Sequence, residues 1–139
     1  LSYLNEIYQD NDISITYGQY EPLSKTYSNL CQPIPDTRTY RKSELWVTSH
    51  LRTFKRKVFN KIDNEDLKNK DGKYYNVSWD RAFMYPMIEM MGKKRIKFIE
   101  RILYIYNDLN PISDMKIYVK EQLETAKEII NKPIYDEIR

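Results

Sequence analysis

The segment from Trp79 to Met91, WDRAFMYPMIEMM, constrains this chain more than any other, because it sets a carboxylate among large apolar side chains near a helix start. At 100° per residue, Phe83, Met84, Met87 and Met91 fall within about 60° of Asp80, while Arg81, Tyr85 and Glu89 lie on the other side. The acid is thereby assigned to the apolar face. An unpaired ionised carboxylate is costly to bury, so Asp80 must be paired, cap the helix, hold a metal or take part in chemistry. Capping through backbone N–H groups is the simplest of these and is worth about 1 kcal/mol. Ser78 is the alternative N-cap, and Pro86 is expected to bend or split the helix.

Periodicity organises the rest of the chain into a single α/β unit with helices outnumbering strands. Leu1, Leu4, Ile7 and Tyr8 recur at helical spacing, Asp10 to Asp12 make a turn, and Ile13, Ile15 and Tyr17 alternate as a strand ending at Gly18. Residues 19–42 carry Pro22, Pro33 and Pro35 without a clean period and read as a long loop, a length that usually marks a functional lid or disorder. A helix is expected over 44–61, with Phe54, Val58, Phe59 and Ile62 as its inward stripe. After an Asp71-Gly72 turn and the helix already described, 96–99 and 102–106 read as two short strands. An amphipathic helix over 115–130, stopped by Pro133, leads into the tail.

Composition narrows the function classes. A chain of 139 residues that is 41% apolar and 31% charged fits one globular domain. Thirteen Tyr against three Gly is unusual and suggests grooves lined by rings that both stack and hydrogen-bond, although such rings also collect where a core meets solvent. A net charge of +3 is too small to imply a nucleic-acid partner, and the basic run from Arg52 to Lys61 reads as a solvated helix face. Cys31 is the single cysteine, which leaves neither a disulfide framework nor a sulfur-rich metal site. Without an apolar run of about 18 residues, no membrane span is expected, and the chain reads as reduced, soluble and cytoplasmic. Leu1 is not an initiator Met and begins mid-helix, so a longer parent chain is expected.

The order of four motifs is more specific than any one of them. ITYGQY (15–20), SHLRTFK (49–55), DGKYYNVSWDRAFMYPMIEMMGKK (71–94) and ILYIYNDLNPISD (102–114) together resemble the C-terminal, acceptor-side half of a GT-A glycosyltransferase. The likeness covers nearly the whole chain and is closest to family 2-like enzymes, including those of large DNA viruses, with which it also shares an excess of Lys, Asn, Ile and Tyr. It implies transfer of a sugar from a nucleotide-sugar donor to an acceptor hydroxyl on a glycan or protein. It also implies a divalent metal, Mn or Mg, held by a DxD motif in a nucleotide-binding half upstream of Leu1. These residues alone are not expected to turn over substrate.

The resemblance gives Asp80 the place of the general base, at the head of a helix after the acceptor loop. A helix N-terminus favours the ionised carboxylate by about 0.3–1 kcal/mol, while apolar neighbours strengthen it as a base. Trp79 would floor the acceptor sugar, unless it simply fills the core. His50 and Arg52 match positions at the edge of the cleft, where the Arg would meet a diphosphate oxygen and the His a sugar or metal. Arg52 has other uses open to it, including an ion pair with Glu44 or Asp80. Asn107, Asn110 and Asp114 suit a turn and a helix cap better than a substrate contact. Asp10-Asn11-Asp12 spells DxD in the wrong context, ahead of a strand instead of behind one, and is rejected as a metal site. A non-catalytic carbohydrate-binding remnant is the competing reading.

Overall fold

The computed structural model describes residues 1–28 and 31–138. Its elements are α1 (Ser2–Ile7), β1 (Ile15–Pro22), β2 (Thr53–Phe54), α2 (Arg56–Phe59), α3 (Trp79–Met91), β3 (Ile96–Tyr106), α4 (Asp114–Ile117) and α5 (Val119–Ile130), with short 3-10 turns at Tyr40–Ser43, Asn64–Leu67 and Lys93–Arg95. The class is α/β. The sheet runs in the order β2-β1-β3, with β1 antiparallel to β2 and parallel to β3.

β1 is the central strand, and its sequence suits that place. Ile15, Thr16 and Tyr17 are all buried, as a strand covered on both faces requires. Thr16, the polar member, shares a hydroxyl hydrogen bond of 2.5 Å with Thr53 of β2. The parallel pairing runs from Ile15 opposite Ile96 to Gly18 opposite Ile99, then shifts, and resumes with Tyr20 opposite Tyr104. The two short strands expected over 96–99 and 102–106 are therefore one strand, and the expected gap between them survives as the break in register. A side chain at Gly18 would meet the Ile99 carbonyl oxygen at 2.8 Å, which is why the chain has none at this crossing.

α3 is the axis of the core. It packs on β1, α2 and α5, and from Met84 to Met91 every residue is buried. The helix runs unbroken through Pro86, which neither splits nor ends it. Gly92 ends it instead, at a positive φ of 63° that suits glycine. The two-sided pattern expected from periodicity is corrected here: the side bearing Tyr85 and Glu89 is as buried as the methionine side. The 3-10 turn and the C-terminal tail close over it, and Glu89 rather than Asp80 is the deeply buried acid, 1% exposed.

Glu89 is held by a bidentate pair with Arg41, whose Nε and Nη2 each donate at 2.7 Å. The Tyr135 backbone N–H donates to the same carboxylate at 3.0 Å, and Arg41 reaches the Lys132 carbonyl at 3.2 Å. Burial pushes the Glu89 carboxyl up from its ordinary range, against the pull of Tyr135 N–H and of Arg41.

Two other expectations change. The helix over 44–61 is largely an extended segment followed by β2 and a single turn, α2. Thr53 and Phe54 pair with Thr16 and Ile15 instead of continuing a helix, although Val58 and Ile62 of the expected stripe do face inward. The loop expected over 19–42 is shortened and partly buried: 19–22 belong to β1, Tyr40–Ser43 form a 3-10 turn, and Ile34, Tyr40 and Arg41 are buried. The Tyr17 hydroxyl donates to the Gln32 carbonyl at 2.9 Å and accepts from the Ile34 N–H at 2.8 Å, tying that strap to the sheet. Residues 29 and 30 of that expected loop lie outside the described residues. The final helix starts in two pieces, α4 and α5, broken at Tyr118. No helix among the described residues is long and apolar enough to cross a membrane.

Candidate functional site

The head of α3 carries the residues that the sequence singled out. Ser78 precedes the helix with a φ of 52°, a left-handed conformation that is uncommon for a residue with a side chain. Its hydroxyl donates to the Gln122 carbonyl at 3.2 Å, so it does not cap α3. Asp80 does not cap it either, because among the described residues its Oδ1 accepts only from the adjacent Arg81 N–H, at 3.0 Å. Its Oδ2 accepts from Arg52 Nη1 at 2.7 Å, and this ion pair is what answers the energetic question of an acid on an apolar face. The Asp80 side chain remains 25% exposed, so solvent and a ligand can still reach it.

Trp46 ties this pair to a second arginine. The Arg52 guanidinium carbon lies 5.8 Å from the indole centroid and that of Arg81 lies 4.7 Å from it, within cation–π range for both. Arg81 Nη1 donates to the Tyr85 hydroxyl at 3.1 Å, and Tyr85 meets the Trp46 ring edge-on at 5.6 Å. Burial raises the Tyr85 phenol above its ordinary range despite the opposing pull of Arg81.

His50 extends the site across the sheet. Its ring stacks on Tyr104 at 4.8 Å and on Tyr106 at 5.3 Å, and meets Tyr20 edge-on at 5.8 Å. Tyr104 and Tyr106 are two residues apart on β3 and therefore share a face, while Tyr20 sits opposite Tyr104 on β1. All three tyrosines lie at the C-terminal ends of the parallel strands, where open α/β sheets carry their ligand sites. Burial lowers the His50 pKa first, Arg52 lowers it further, and Asp80 opposes both. These influences together favour the neutral imidazole, which can accept as well as donate a hydrogen bond.

Three of the four residues expected at the site come together. Asp80 and Arg52 touch, and His50 stands within electrostatic reach of both. Trp79 is 53% exposed, and its ring partner is Phe83 at 5.6 Å. Sequence reasoning missed Trp46, Arg81, Tyr20, Tyr104 and Tyr106. The alternation Tyr104-Ile105-Tyr106 on a strand was the available signal for the tyrosine face, whereas nothing in the order of residues couples Trp46 to α3.

The chemistry of the metal can be tested on the residues present. Among the described residues no group of His, Cys, Asp or Glu side chains gathers to hold a metal ion. Asp10 and Asp12 form a turn, with the Asp12 N–H donating to Asp10 Oδ1 at 2.9 Å. The Asp10 carbonyl in turn accepts the Ile13 N–H at 3.2 Å, which delivers the chain into β1. Of the polar group after β3, Asn110 Oδ1 accepts the Ile112 N–H at 3.1 Å, which is turn chemistry, and Asp114 opens α4.

What the assembled groups can do is bind a polar, ring-shaped ligand. Rings offer faces to the C–H surfaces of a sugar, and a carboxylate with two guanidiniums offers paired acceptors and donors to its substituents. Comparison of the chain with protein families, with curated proteins and with solved structures gives no match.

Proposed function

We propose that this chain is the acceptor-side part of a GT-A-type glycosyltransferase, with Asp80 as the base that takes the proton from the acceptor hydroxyl. The observation that carries this reading is the position of Asp80: at the head of α3, 25% exposed, 2.7 Å from Arg52 and within electrostatic reach of His50, whose ring packs on the tyrosines at the strand ends. Arg52 fixes one carboxylate oxygen, and the part of the side chain that is open to solvent is where an acceptor hydroxyl would approach. His50 and the tyrosines would hold the acceptor ring, and Trp79, exposed on the position before Asp80, would offer a further ring face. The nucleotide-sugar donor and its Mn or Mg ion would be held by residues outside the described chain.

The test is transfer from a panel of nucleotide-sugars by the protein joined to its nucleotide-binding half. Asp80→Asn is expected to lower kcat by about 10²–10⁴-fold, the usual contribution of a general base, with donor affinity unchanged. Retained transfer would remove Asp80 from that role.

One observation favours the second reading, a carbohydrate-binding part without chemistry. Arg52 engages Asp80 as a partner would in a purely structural pair. That reading expects the 139-residue chain to bind glycans on an array, with Asp80→Asn no worse than a modest loss, and no transfer by any longer form.

A further inference from the structure

Resting on the carbohydrate reading above, we propose that this site selects a sugar bearing one negative charge, a carboxylate or a sulfate ester, which Arg81 and Arg52 bind beside Trp46. The charge balance of the cluster motivates it. Two guanidiniums, both permanently cationic, approach one indole, and the acid paired with one of them, Arg52, is Asp80. Asp80 is committed to Arg52 and to the Arg81 backbone N–H, so it does not neutralise the Arg81 guanidinium. Among the described residues Arg81 makes no ion pair, and the side-chain bond it makes, to Tyr85, is to a neutral phenol.

The Trp46 ring and the Tyr85 hydroxyl support the Arg81 guanidinium without supplying a counter-charge. It lies in the first turn of α3, where the helix dipole disfavours a cation, and it is half-buried, where a cation loses water. A guanidinium has five N–H donors in a planar fork, and one of them is used by Tyr85. The rest of the fork matches the two oxygens of a carboxylate, or two of a sulfate, in a bidentate contact. A neutral hexose would leave this surplus charge partly dehydrated and unpaired.

Calorimetric titration of the 139-residue chain with four probes tests this: methyl glucuronide, glucose 6-sulfate, methyl glucoside and inorganic sulfate. At least one acidic sugar is expected to bind about tenfold tighter than the glucoside at low salt, the gap narrowing as salt rises. Arg81→Gln should erase the preference while far-UV circular dichroism stays unchanged, and Arg81→Lys should keep part of it. If Arg81→Gln does not fold, the salt dependence of the wild-type preference decides in its place, and a preference independent of salt overturns the proposal.

Equal binding of neutral and acidic sugars would overturn the anion inference and leave the carbohydrate reading standing. Inorganic sulfate, or UDP in a parallel titration, binding as tightly as the acidic sugars would show an anion site without sugar selection and would overturn it as well. Failure of every sugar to bind would overturn both readings.

Discussion

Replacing Glu89 by Gln leaves the Arg41 guanidinium, 2% exposed, against a neutral amide, and loss of one partner from a buried ion pair costs about 3–5 kcal/mol. The urea midpoint of Glu89→Gln should fall accordingly. Asp80→Asn breaks a pair that is partly open to solvent, and its stability loss should stay within about 1 kcal/mol in the same measurement. The contrast separates the buried acid that the fold needs from the one that is partly open to solvent. Periodicity could say that an acid on α3 lies against apolar side chains, but not which side of the helix the rest of the chain would cover. That depended on Arg41 and Tyr135, both far from Glu89 in sequence. His50 gives a pH signature. Its folded pKa is lowered, so between that value and about 6.5 the unfolded chain binds the extra proton. Stability contributed by His50 is therefore present above about pH 6.5 and lost as pH falls toward the folded pKa. Being the single histidine, its proton resonances report this directly, and His50→Gln should flatten that part of the stability profile.

Among the elements, the β1–β3 crossing is the most exacting. Gly18→Ala drives a methyl group against the Ile99 carbonyl at 2.8 Å, and relief requires backbone movement in a strand buried on both faces. Overpacking of this kind costs about 1–3 kcal/mol, readable as a lowered Tm with far-UV circular dichroism retained below it. The limits of α3 were legible because its long apolar content, its turn-forming flank and Gly92 all point one way. β2 was not, because Phe54, Val58 and Phe59 fit a helical stripe as well as a strand and a turn. The pairing of Thr53 with Thr16 decided between them, and a pairing is not visible in either segment alone. The burial of the strap after β1 was not legible for a related reason: its prolines signal irregular backbone, and irregular backbone can still be core when Tyr17 and Tyr40 satisfy its polar groups. The Tyr40 hydroxyl accepts the Val47 N–H at 2.9 Å, which does for the segment after the turn what Tyr17 does for the strap.

At the scale of the whole molecule, the tail after α5 behaves as a clasp on α3. The Ile138 N–H donates to the Met90 carbonyl at 2.8 Å, and Arg95 Nη1 donates to the Ile138 carbonyl at 2.6 Å. With the Tyr135 N–H on Glu89, three contacts connect the tail to the end of α3 and the start of β3. Removing residues 133–139 should expose the Arg41–Glu89 pair to water and speed amide exchange along α3, measured by hydrogen–deuterium exchange, while α1 is little changed. The class was legible as α/β, and the site was legible as far as Asp80, Arg52 and His50 share one neighbourhood. The tyrosine face was not, since it exists only once β1 and β3 lie side by side. That pairing has a consequence in time. Ile15 finds Ile96 only after nearly all the intervening chain has been made and brought round, so the sheet is a late, non-local event. Until it closes, the apolar strands stand open, and chains folding at high concentration have one another's β3 as a rival partner.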